Sequence, residues 1–98
     1  MRREKKIAYY KFPNSQEIDF VVHEGRNIKE LVQVCYDISN FQTKEREVIP
    51  LIKGIKELKC TNLTVITWDF EAREEKTWFG KKGKIKFVPL WKWLLERE

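Results

Sequence analysis

Two short stretches constrain the fold of this chain more than any other feature. They are Glu17-Ile18-Asp19-Phe20-Val21-Val22 and Glu30-Leu31-Val32-Gln33-Val34-Cys35-Tyr36, with the turn sequence His23-Glu24-Gly25-Arg26-Asn27 between them. Both are rich in β-branched and aromatic residues and read as strands. Successive side chains of a strand point to opposite faces. Alternation therefore puts Glu17 and Asp19 on one face of the first strand, and Gln33 and Cys35 on one face of the second. An acid inside an apolar strand has to be exposed, paired or bound to a cation, so Asp19 is a candidate functional residue.

The remaining segments arrange themselves around this pair. Residues 7–12 read as an aromatic strand, Pro13-Asn14-Ser15 as a turn, and residues 17–23 and 28–36 as the next two strands, an antiparallel meander. Gly25 supplies a turn position open to positive φ. Residues 37–43 form a polar loop, and Thr43 is the expected helix cap. Val48, Leu51, Ile52, Ile55 and Leu58 recur at helical spacing, which predicts a helix over 44–59. Pro50 should kink that helix, and Gly54 should weaken it by about 1 kcal/mol relative to Ala. Residues 62–70 are a strong strand, and the helical crossover before it predicts that strands three and four run parallel. Residues 71–83 are charged and read as a loop or loose hairpin, 84–89 as a strand, and 90–95 as a short helix. The expected order is βββαββα, an α/β fold with a mixed sheet flanked by helices.

Ninety-eight residues make one domain, 1–98, with residues 1–6 as a basic arm carrying Arg2, Arg3, Lys5 and Lys6. Charged residues are 36% of the chain, a density that suits a thermophile. The 20 basic and 15 acidic residues leave a net charge of +5, compatible with a nucleic-acid partner. No apolar run approaches the roughly 20 residues of a membrane span, and the charged start lacks a signal-peptide core. A cytoplasmic location and no membrane partner are expected. Cys35 and Cys60 have no metal-ligand spacing and read as small buried apolar residues.

Metal-dependent cleavage of a phosphodiester needs two carboxylates on Mg²⁺ and a cation near the attacking water or the phosphate. Asp19 is placed as the first carboxylate and Glu17 sits two residues away. The next strand should supply acid-x-lysine; it supplies Gln33-Val34-Cys35. An amide brings no charge, and a neutral thiol stabilises phosphate poorly. Such a site lacks one negative and one positive charge. His23 shares the phase of Glu17 and Asp19, and Asp69 and Glu71 share a face of a later strand. Lys81, Lys82, Lys84 and Lys86, with Lys76 upstream and Trp78 and Phe79 interleaved, form the candidate nucleic-acid-binding stretch. Trp91, Trp93, Leu94 and Leu95 crowd the C-terminus and offer a contact surface.

Glu17-Ile18-Asp19-Phe20-Val21-Val22, Leu31-Val32-Gln33-Val34-Cys35-Tyr36-Asp37, Thr43-Lys44-Glu45-Arg46-Glu47, Val65-Ile66-Thr67-Trp68-Asp69 and Val88-Pro89-Leu90-Trp91-Lys92-Trp93-Leu94-Leu95 together resemble one family. It is the C-terminal domain of a prokaryotic, largely archaeal, family of AAA-type ATPases. That domain is similar to the restriction-endonuclease-like fold of the PD-(D/E)xK superfamily. The resemblance runs over residues 7–95. It implies that Asp19 matches the first metal-binding acid, Gln33 the position of the second acid, and Cys35 that of the lysine. No Gly-rich phosphate loop with Lys-Ser/Thr occurs in the chain. The implied function is a catalytically degenerate nuclease-fold domain. It would act as a nucleic-acid-binding or protein-interaction module associated with an AAA-type ATPase, without efficient cleavage of its own, and with no cofactor, or Mg²⁺ if the metal site functions. Two alternatives stay open. One is an active Mg²⁺-dependent DNA endonuclease using Asp19, Glu17 and Gln33. The other is a dimerisation domain without ligand, built on a sheet edge and the tryptophan-rich end. DNA, an ATPase domain and a second copy of the chain are the partners these readings allow.

Overall fold

The computed structural model describes residues 5–13 and 16–96. The elements are β1 (Lys5–Lys11), β2 (Glu17–Glu24), β3 (Asn27–Val34), α1 (Phe41–Leu58), β4 (Leu63–Thr67), β5 (Ala72–Trp78), β6 (Lys81–Pro89) and α2 (Leu90–Leu95). The six strands form one mixed sheet in the order β1-β2-β3-β4-β6-β5. β1, β2 and β3 are the expected antiparallel meander, and β3–β4 and β4–β6 pair in parallel. The α1 crossover produces the first parallel pair, as the length of the connection requires.

Two differences from the sequence reading concern whole elements. The order is βββαβββα, because residues 72–78 form a strand, β5, antiparallel to β6. The expected basic arm also shrinks, since Lys5 and Lys6 belong to β1. Arg2 and Arg3 lie outside the described residues, as do Asn14 and Ser15 of the expected turn. The helix starts three residues earlier than its apolar stripe indicated, at Phe41. Its cap is Asn40 rather than Thr43: Asn40 Oδ1 accepts from the Thr43 amide at 3.0 Å.

Turn chemistry fixes the hairpins. Gly25 has φ 61° between Glu24 and Asn27. Phe79 and Gly80, between Trp78 and Lys81, have φ 47° and 76°, the two positive values a type I′ turn demands. One face of the sheet packs on α1. Ile18, Leu31, Leu51, Ile52, Leu63, Ile85 and Phe87 are all essentially inaccessible in this layer, each worth about 1.5–3 kcal/mol of apolar burial. Glycine brings the layers together. A Cβ on Gly54 would lie 2.7 Å from Leu31 Cδ1 and 2.9 Å from Ile18 Cδ1. The opposite face holds a smaller core of Val22, Val32 and Ile66 under Leu90 and Trp93 of α2. α2 is six residues, about 9 Å long, and cannot cover six strands. Among the described residues no helix is long and apolar enough to cross a membrane.

Candidate functional site

The region around Asp19 is shaped by a break in strand pairing. β1 and β2 shift register between Ala8↔Val21 and Tyr10↔Ile18, so β2 carries an extra residue beside Asp19. Ile18 and Val21 consequently both enter the α1-side core, three positions apart. Simple alternation fails here, and with it the shared phase of Glu17 with Asp19 and His23. His23 sits at the hairpin end of β2, its Nδ1 3.2 Å from the Gly25 carbonyl oxygen.

The β2–β3 ladder ends at Phe20↔Val32. Continued, it would set Asp19 against Gln33. Instead the Gln33 side chain, 1% exposed, joins the two strands. Its Oε1 accepts from the Asp19 amide at 2.7 Å, and its Nε2 donates to the Glu17 carbonyl at 2.9 Å. The side-chain amide thus does for β2 what a backbone peptide does within a ladder. Asp19 reciprocates, its Oδ2 accepting from the Val34 amide at 2.9 Å. The structure therefore brings Asp19 and Gln33 together, but as strand connectors. Glu17 contributes its backbone carbonyl, and its side chain is exposed.

Cys35 continues the Leu31–Gln33 face into the α1-side core, with Sγ 3.4 Å from the Asp37 carbonyl oxygen. Burial, then the charges of Glu47 and Asp37, push its thiol above the ordinary value, against the opposing influence of Arg46 and the Asp37 hydrogen bond. It is a protonated thiol at neutral pH, neither a cation nor a nucleophilic thiolate. Glu47 is the residue the sequence reading missed as a site group. Burial, and next the charge of Asp19, raise its carboxyl above the ordinary value, while Arg46 acts the other way. The signal was present: Glu47 precedes Leu51 by one helical turn and so belongs to the sheet-facing side of α1.

Gln33 and Glu17 are not placed as Mg²⁺ ligands in this arrangement. A hard cation takes about six oxygen ligands, while the Gln33 oxygen is engaged by the backbone and Glu17 is turned out to solvent. Among the described residues no group of three or more His, Cys, Asp or Glu is placed to hold a metal ion. Asp69 is exposed, and Glu71 is paired with Lys92.

The basic stretch divides between the two faces of the sheet. Gly83, Ile85 and Phe87 of β6 look toward α1, so Lys82, Lys84 and Lys86 project from the other face. Lys82 is 3.6 Å from Glu75. Lys81 lies on the α1 side, its Nζ 5.9 Å from the centre of the Trp78 ring, over which Lys53 also sits at 4.9 Å. Trp78 is therefore occupied by the chain's own lysines. Arg73 of β5, opposite Lys86, joins the outward set and was not foreseen.

No family model matches the chain. An uncharacterized protein of Methanocaldococcus jannaschii is 42% identical over 94 residues, a match covering 94% of this chain and 21% of that protein. The chain thus spans about a fifth of the length of this curated relative.

Proposed function

We propose that the chain is a restriction-endonuclease-like domain whose nuclease centre has been converted to structure, and that it binds nucleic acid without cleaving it, in association with an AAA-type ATPase. The observation that carries this reading is the Gln33 amide. In a working PD-(D/E)xK site that position holds a charged metal ligand. Here it is buried and engaged with the Glu17 carbonyl and the Asp19 amide. A neutral thiol at Cys35 removes the cation as well. Without these charges the electrostatic stabilisation that dominates such reactions is missing. The ATPase association rests on the resemblance, and a match over 94 residues within a much longer archaeal protein is compatible with it.

The test is a paired assay on labelled DNA with Mg²⁺ or Mn²⁺ present. Retention of intact DNA by the protein is the expected result. Metal-dependent cleavage that disappears in Asp19→Asn would establish the endonuclease instead. Absence of any DNA retention at low salt would remove the nucleic-acid reading.

A further inference from the structure

We infer that nucleic acid lies in a groove on the sheet face opposite α1, gripped by Arg73, Lys84 and Lys86 through its phosphate backbone. This rests on the nucleic-acid reading above and specifies its surface. Arg73 and Lys86 are direct cross-strand partners on β5 and β6. Like charges placed directly opposite one another destabilise a sheet, so the pair works against folding unless an anion sits between them. The acids nearby do not relieve it. Glu75, the cross-strand partner of Lys84, lies 3.6 Å from Lys82, Glu74 pairs with Lys44 on α1, and Glu71 with Lys92. Glu96 is exposed and lines the smaller cavity with Lys92. Among the described residues Arg73, Lys84 and Lys86 form no ion pair.

The shape suits a chain of anions. A cavity of about 500 Å³, with Thr61 and Asn62 at one end, adjoins another of about 290 Å³ that reaches Lys92 of α2. Arg73 and Lys86 line both. Lys84 and Lys86 are two residues apart on one strand, roughly 6.6 Å along it, so successive cations face successive charges. Leu63, Ile85, Phe87 and Val88 also line the two cavities but are buried, and the side chains that reach solvent here are mostly Arg, Lys, Glu, Thr and Asn. A protein partner would require an apolar centre; a phosphodiester backbone does not. Asp19 and Glu47 meet on the α1 side of the sheet, so a strand in this groove stays away from them. Binding and the former catalytic position are spatially separate.

Anisotropy titrations of a labelled oligothymidylate and of a duplex, each over a series of salt concentrations, test the assignment. Three single-strand phosphate contacts give a slope of log K against log salt near −2, about −0.7 for each contact. The double variant Arg73→Gln/Lys86→Gln should lose tenfold or more in affinity at low salt, with a slope falling toward about −0.7. Its melting temperature should equal or exceed that of the native chain, because the like-charge pair is gone. Lys56→Gln, on α1, should bind as the native chain does. Native affinity in the double variant would overturn the groove while leaving nucleic-acid binding intact. Failure of the native chain to bind either probe would overturn both. Displacement of oligothymidylate by polyglutamate at equal charge concentration would reassign the groove to an acidic peptide.

Discussion

Gln33 is neutral where the resemblance expects an acid, and its surroundings explain why an acid does not suit the position. Nε2 donates to one carbonyl and Oε1 accepts from one amide. Removing the side chain by Gln33→Ala orphans both backbone groups at a site 1% exposed. The expected loss is about 2–4 kcal/mol in urea unfolding, a buried unsatisfied group costing about 1–3. Gln33→Glu keeps the shape but sets a carboxylate oxygen against the Glu17 carbonyl. It should cost at least about 1–3 kcal/mol at neutral pH. The deficit should shrink as the solution is acidified, since only the protonated acid can donate there. Equal stability of Gln33→Glu and native chain at neutral pH would show that the amide is not the connector. Glu47 gives the complementary case. Its folded carboxyl titrates above its ordinary value, so the ionised form is the disfavoured one in the folded state. The penalty is absent below the ordinary value of 4.5 and grows as pH rises through the folded value. Glu47→Gln should therefore raise the melting temperature at about pH 7 and leave it unchanged at about pH 4. The gain should stay under about 1 kcal/mol, because solvent screens a half-buried group.

At the scale of elements, the parts readable in the sequence were those whose apolar pattern matched their period. α1 has a stripe that survives Pro50, and the consequence of its crossover, parallel β3 and β4, followed directly. β5 was obscure because its inward face is ionic. Glu74 pairs with Lys44 at 2.8 Å, and Lys76 with Glu45, so α1 supplies charges where a sheet-facing strand ordinarily meets apolar groups. No local pattern in 72–78 announces that match. The Asp19 region was half readable. Its strands were plain, but the bulge beside Asp19 and the insertion of Gln33 between strands depend on partners elsewhere in the chain. Gly54 was read as a weakness, and it sits where α1 presses on the sheet. Its contacts decide between two substitutions. Gly54→Ala gains about 1 kcal/mol of helix propensity against overlap with the far ends of Leu31 and Ile18, and should fall near neutral. Gly54→Val adds branched bulk at the same place and a poorer helix former, and should destabilise by about 3 kcal/mol. Denaturant midpoints for the two variants check this, and a neutral Gly54→Val would mean the helix is not pressed against the sheet.

The whole molecule presents two sheet edges and one half-bare face, and their charges differ. β5 closes one edge with alternating ions. β1 closes the other with Ile7 58% and Tyr9 66% exposed, flanked by lysines. An unpaired edge with an apolar centre is a template for a second copy. Antiparallel self-pairing about Ala8 would set Ile7 against Tyr9 and gather Lys6 and Lys11 of both copies along the joined edge. The apolar contacts favour that dimer, and the lysines oppose it. Repulsion between exposed charges fades as the Debye length shortens from about 10 Å at 0.1 M salt to about 3 Å at 1 M, whereas apolar burial does not weaken. Self-association should therefore strengthen with salt, while nucleic-acid binding in the Arg73 groove weakens with it. Sedimentation velocity across a salt series is expected to show a dimer fraction that grows with ionic strength in the native chain and is suppressed in Tyr9→Lys. A dimer present at low salt and dissolved by high salt would instead place the contact on complementary charges, away from β1. The two expected salt responses are opposite: conditions that would load the proposed basic groove disfavour pairing at the β1 edge, so a chain engaged with nucleic acid is expected as a monomer.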